Sequence, residues 1–161
     1  MKGRIAALDD IDRDILLHLQ TEARITMKEL GARVGLSGPA AAERVHRLEE
    51  RGVVCAYRAD VSPDGCGRPL LAFINLAIAY ERYPVASTAE REFVSRVAQV
   101  DEVLECYRIT GEDCYLLLVA VPDVARLEEL VARLGELGRT RTSLVLSMPI
   151  RRRPILPAGE R

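Results

Sequence analysis

Apolar residues recur at helical spacing along the first third of the chain: Ile11, Ile15 and Leu19 stand four apart, with Leu16 beside them. Asp9 or Asp10 is placed to cap the helix they predict, and acids in its first turn suit the helix dipole. Thr26 followed by Glu29 is a capping box that opens a second, short helix with Met27, Leu30 and Val34 on its apolar side. Gly35 and Leu36 break that pattern, and Ser37-Gly38-Pro39 restarts it, with Ser37 as N-cap and Pro39 harmless in a first turn. The third helix runs to about Arg51 and ends at Gly52. It turns Ala41, Val45 and Leu48 inward and leaves Ala40, Glu43, Arg44 and Arg47 on the opposite stripe, free to reach a groove. Three helices joined by such short turns form a helix-turn-helix arrangement. Residues 53–58 that follow have strand-like composition.

The hydrophobic period changes after residues 61–69, a stretch dense in turn formers. Beyond it the signals predict a strand over 70–79, a helix over 87–98 opened by Ser87 and Glu90, and a strand over 103–109. A turn at Gly111 follows, then a strand over 115–121, a helix over 123–137 and a strand over 142–148. This is the βαββαβ order of a ferredoxin-like domain, so the chain is expected to be α+β. The predicted organisation is a helix-turn-helix domain over 1–60, a linker over 61–69, the ferredoxin-like domain over 70–150 and a basic tail over 151–161 that is mobile or loosely docked. Both helices of a ferredoxin-like unit lie on one face of the sheet. Yet residues 70–74 and 116–121 are apolar on both faces, which points to a second copy of the chain covering the other.

Composition narrows the classes without choosing among them. The 161 residues are 48% hydrophobic and 29% charged, the balance of a packed globular protein. A net charge of −1 excludes a wholly basic, histone-like binder but not a local basic face. The apolar runs are too short to span a bilayer and residues 1–7 lack the apolar core of a signal peptide, so a cytoplasmic location is expected and no membrane association. Cys55, Cys66, Cys106 and Cys114 show no CxxC spacing, and His18 and His46 lie far from them, so neither a metal site nor a cofactor is expected. Cys106 and Cys114 flank the glycine turn, which leaves a redox pair open beside the plainer reading of inert thiols. No paired carboxylates or Ser/His/Asp arrangement is visible, and the chain is not expected to be an enzyme.

Two groups of residues carry candidate chemistry. Ser37, Gly38, Pro39 and Ala40 would bring the first turn of the third helix close to double-stranded DNA. Glu43, Arg44 and Arg47 would face the groove, since arginine suits guanine O6 and N7 through two parallel hydrogen bonds. Lys28 and Arg58 are candidate phosphate contacts, as are the tail arginines Arg151, Arg152 and Arg153. Thr110, Gly111, Glu112, Asp113 and Cys114 form a turn whose exposed N–H groups suit a small zwitterion at a subunit junction, with Ser143 as a further lining residue.

The stretches LDDIDRDIL, ELGARVGLSGPAAAERVHRLEERGVV, YRADVSPDGCG and ECYRITGEDCYLL together resemble the Lrp/AsnC family of leucine-responsive, or feast/famine, regulators. The resemblance runs from Leu8 to about Pro149. It implies a winged helix-turn-helix domain, a dimer built by sheet packing that assembles to octamers in many members, and an amino acid as effector. One position departs: Cys114 stands where many relatives carry an aspartate, and a neutral thiol cannot supply that charge to a ligand ammonium. The expected function is a sequence-specific DNA-binding regulator, homo-oligomeric and responsive to an amino acid or related small molecule. The alternative is an effector-independent architectural DNA-binding protein of the same fold.

Overall fold

The computed structural model describes residues 8–79, 86–150 and 152–157, with side chains of residues 86 and 87 left aside. The chain divides into two units, Met1–Asp60 together with Ile150–Arg161, and Val61–Pro149.

The first unit holds α1 (Asp10–Thr21), α2 (Met27–Arg33) and α3 (Gly38–Glu50). Each helix starts on the residue type its N-terminal N–H groups require. Asp9 accepts from the Asp12 amide while the Asp12 carboxylate accepts from the Asp9 amide, and Thr26 and Glu29 make the equivalent box for α2. Ser37 accepts from the Ala40 amide at the start of α3. The unit closes around Ile15, Leu19, Leu30, Ala41, Val45 and Leu48, all buried. The turn between α2 and α3 is tight because Gly31 has no side chain: a Cβ there would lie 2.7 Å from the Leu36 carbonyl oxygen.

Residues 53–58, expected to be strand-like and to supply the wing, are not in a strand, so among the described residues this unit has three helices and no wing. A strand needs a hydrogen-bonded neighbour, and none is offered within the unit. Tyr57 instead donates to Glu49 on α3 at 2.8 Å, and burial followed by the Glu49 carboxylate pushes its hydroxyl up to about 12. Of the two expectations for the tail, mobile or loosely docked, its contact at Ile155 fits the second. Gln20 of α1 donates to the Ile155 carbonyl at 3.0 Å and accepts the Ile155 amide at 2.8 Å, pinning the backbone there. Arg151 lies outside the described residues.

The second unit is a four-stranded antiparallel sheet of β1 (Leu70–Ile78), β2 (Val103–Arg108), β3 (Tyr115–Val121) and β4 (Gly138–Leu144), in the order β2-β3-β1-β4, with α4 (Ala86–Val97) and α5 (Val124–Gly135). Alternate residues Ala72, Ile74, Leu76 and Ile78 of β1 and Tyr115, Leu117, Val119 and Val121 of β3 are buried. They meet Ala89, Phe93 and Val97 of α4 and Leu127, Leu130 and Leu134 of α5 in one core, where the Phe93 and Tyr115 rings stand 4.3 Å apart. Asp123 caps α5 by accepting from the Arg126 amide. The proposed Ser87 cap of α4 lies outside the described side chains.

The last strand begins four residues earlier than 142–148. Gly138 pairs with Ile78 and is buried against Ala77, whose carbonyl oxygen occupies the space a Cβ would need. The polar run Arg139-Thr140-Arg141-Thr142 has no alternating apolar signature, yet it pairs with β1 through backbone alone. Beyond Leu144 the chain leaves the sheet after one further bond, from the Val145 amide to the Leu71 carbonyl.

Candidate DNA-binding and effector sites

The exposed edge of the helix-turn-helix is built by close approach of two helix starts. A Cβ on Gly38 would lie 3.3 Å from Cα of Lys28, so the first turns of α2 and α3 are side by side. Ser37, Pro39, Ala40, Glu43 and Arg47 are exposed along this side of α3, and Lys28 is exposed beside them. Arg47 sits 3.8 Å from the Glu43 carboxylate, one helical turn away, a solvent-screened pair that leaves the guanidinium available.

Arg44 corrects the expectation. It does not point away from the unit; its NH1 donates to Asp9 at 2.7 Å and to Asp12 at 2.8 Å, the two residues of the α1 capping box. The carboxylates raise the Arg44 value, while the Asp12 amide, then the Arg44 guanidinium, hold Asp9 below the usual aspartate range. Arg44 therefore fixes α3 against the start of α1, while Arg47 remains exposed on α3. Sequence reading missed the role of Asp12, although an acid three residues after a capping Asp was the available signal. Arg58 is exposed in the segment that follows α3, and Arg152 and Arg153 are exposed in the tail.

The turn between β2 and β3 contains Thr110, Gly111, Glu112, Asp113 and Cys114. Gly111 has φ +116°, a conformation open to glycine and strained for other residues. Thr110 and Glu112 are exposed. Asp113 is buried and forms an ion pair with Arg141 of β4 at 2.6 Å, a residue absent from the sequence-based set. Cys114 is half-buried, its amide donating to the Leu76 carbonyl and its carbonyl accepting from Ile109, both at 3.0 Å. The turn is thus bound on both sides by backbone, and its one buried carboxylate already has a cation. Ser143 is not in the turn: it lies exposed two residues beyond Arg141, opposite Phe73 of β1. The two thiols flanking the turn are not adjacent. Cys106 pairs with Leu117 in the register, whereas Cys114 lies opposite Ile109. Three steps at roughly 3.3 Å each separate them by about 10 Å, beyond the Cα span of a disulfide.

A three-helix unit with an exposed third helix, joined to an α+β sheet domain with a half-buried ion pair beside a glycine turn, defines a two-domain helix-turn-helix protein. Family models agree over both parts: an AsnC-type helix-turn-helix domain matches residues 8–49 and an Lrp/AsnC ligand binding domain matches residues 83–155. The chain is 38% identical over 143 residues to the HTH-type transcriptional regulator LrpA of Mycobacterium tuberculosis, covering 88% of this chain and 91% of the relative. It is 36% identical over 143 residues to the leucine-responsive regulatory protein of Escherichia coli, covering 86% and 85%. Among solved structures, a feast or famine regulatory protein from M. tuberculosis complexed with L-methionine superposes with TM-score 0.84 at 37% identity, over 94% of this chain and 100% of that one. A Neisseria meningitidis transcriptional regulator in complex with L-Met gives 0.83 at 31%, over 92% and 96%. The chain belongs to the Lrp/AsnC family of transcription regulators, a family that is not enzymatic. Among the described residues no helix is long and apolar enough to cross a membrane.

Proposed function

We propose that this chain is a sequence-specific regulator that acts in the cytoplasm as a homo-oligomer and reads double-stranded DNA with the first turns of α2 and α3. The observation that carries this reading is the exposed edge formed by Lys28, Ser37, Pro39, Ala40, Glu43 and Arg47, with Gly38 allowing the two helix starts to meet. Paired units would place two such edges in half-sites about 34–36 Å apart or a multiple of that. A small amino acid bound at the Gly111 turn, between copies, would shift subunit geometry and so DNA affinity or assembly. The L-methionine complexes of the M. tuberculosis and N. meningitidis proteins support that ligand class. Within the turn, the exposed N–H groups suit the ligand carboxylate, and the Asp113–Arg141 pair is the adjacent charged element that a zwitterion would meet.

A second reading is favoured by one observation: the turn carries a thiol at Cys114 and its buried carboxylate, Asp113, is paired with Arg141, so that among the described residues only the solvent-exposed Glu112 is left to meet a ligand ammonium. On that reading the protein is architectural, oligomerising on DNA without an effector. Fluorescence anisotropy on the gene's own upstream DNA, at two salt concentrations and with each standard amino acid, separates the two. Salt-sensitive binding shifted by one amino acid supports the responsive regulator. Binding that none alters supports the architectural protein, and no binding there or on random fragments overturns both.

A further inference from the structure

The second unit holds a polar pocket of about 490 Å³ away from the Gly111 turn, lined by Arg68, Asp101, Glu102, Arg126 and Arg133 together with the loop at Gly67. Its chemistry is uneven. Glu102 is buried, and Arg126 satisfies it through Nε at 2.7 Å and a second nitrogen on the same oxygen, while also pairing with Glu129 at 2.7 Å. Arg126 is therefore committed to protein carboxylates and forms a fixed wall. Arg133 lies seven residues further along α5, which returns it to the same stripe of the helix. Arg68 enters from the chain before β1 and donates to the Asp101 carbonyl at 2.7 Å, which orients its guanidinium in a pocket that the acids Asp101 and Glu102 also line. Among the described residues neither Arg68 nor Arg133 is in an ion pair.

We propose that this pocket binds a small phosphate-bearing anion, held between the Arg68 and Arg133 guanidinium groups against the Arg126–Glu102 wall. Arg68 and Arg133 both line the cavity, with the charge of Arg133 also felt by Glu102, and planar guanidinium donors match the oxygens of a phosphoryl group through paired contacts. The cavity is several times the size needed for inorganic phosphate and accommodates a diphosphate or a phosphate ester. Nothing in this site depends on the DNA-binding reading, because every lining residue belongs to the sheet unit.

The test uses the full-length protein with pyrophosphate as probe, by isothermal titration calorimetry against sodium chloride of matched ionic strength. The wild type is expected to bind with a sub-millimolar dissociation constant and to show a raised melting temperature, as ligand binding to the folded state requires. R68Q and R133Q, each still folded by circular dichroism, are expected to weaken binding at least tenfold, while E92Q, exposed on α4 and outside the pocket, leaves it unchanged. Heat and melting shifts no larger than those of chloride, or binding retained in R68Q/R133Q, would overturn the proposal. DNA affinity provides the remaining arm: the same double variant is expected to keep its dependence on salt. A salt slope reduced by about two would assign these arginines to DNA phosphates and overturn the small-ligand site.

Discussion

Arg44 and Arg47 lie one turn apart on α3 and carry the same charge, but Arg44 bridges two acids of another helix at 2.7 and 2.8 Å, whereas Arg47 has only the exposed Glu43 of its own helix at 3.8 Å. Arg44 bridges Asp9 and Asp12, so R44A leaves two carboxylates facing each other and should destabilise the N-terminal unit by about 1–2 kcal/mol, read by chemical denaturation. R47A should leave stability unchanged, weaken DNA binding and lower its salt dependence; equal loss of stability in both variants would remove the distinction. The same carboxylates set an acid limit. Asp9 is held below its ordinary value, chiefly by the Asp12 amide and then Arg44. Glu102 is also lowered, although burial, the largest influence on it, pushes the other way and is outweighed by its own backbone and by Arg126. Groups depressed on folding stabilise fully above their unfolded values and lose that contribution as pH falls through the folded ones. Stability should therefore drop below about pH 4, and thermal melts across pH 3–6 should show the R44A variant losing less over that range than the parent. Arg44 and Arg47 look alike in the sequence because their periodicity is the same. Telling them apart requires knowing that residues 32 and 35 positions away arrive beside one and not the other.

At the level of elements, helices were legible wherever a cap and a stripe coincided, as at Thr26 and Ser37, because both signals are local. The strands of the core were legible from their apolar runs. The start of β4 was not, since Gly138 and the polar residues after it are chosen by what lies across the sheet rather than by what lies along the chain. G138A tests this directly. The added methyl meets the Ala77 carbonyl with no flexible side chain to yield, so the edge strand must move, at about 2–3 kcal/mol by denaturant midpoint. The tail illustrates the same limit. Its arginines and proline read as a mobile or loosely docked end without naming what it would dock on; a glutamine amide on α1 can satisfy one backbone N–H and one carbonyl at once, as Gln20 does for Ile155. Q20A should raise the hydrogen-exchange rate of the Ile155 amide selectively, with rates in the core strands unchanged.

Among its described residues, the second unit packs α4 and α5 against one face of its sheet. Opposite them, register puts Leu71 and Phe73 of β1 beside Leu118 and Ala120 of β3 and Ser143 of β4, with Leu116 and Tyr107 toward the other edge. Phe73 is 36% exposed and Tyr107 47%, and the leucines between them are only half-covered. An apolar sheet face of this extent is costly to leave in water, and sequence alone exposed the imbalance because runs such as 70–74 lack the alternation of a one-sided sheet. What sequence could not give is the geometry of the covering layer, which depends on contacts between chains. If a second copy supplies it, L118K should keep the fold, since Leu118 points away from the helices, while placing like charges in the centre of a two-fold contact. Light scattering should then report a lower mass than the parent at the same concentration, with the circular dichroism spectrum preserved. An unchanged mass would mean that this face is not the contact and that assembly uses another surface. DNA binding by the L118K protein is expected to fall more steeply than its stability, because one helix-turn-helix unit alone engages one half-site and forfeits the joint binding of two.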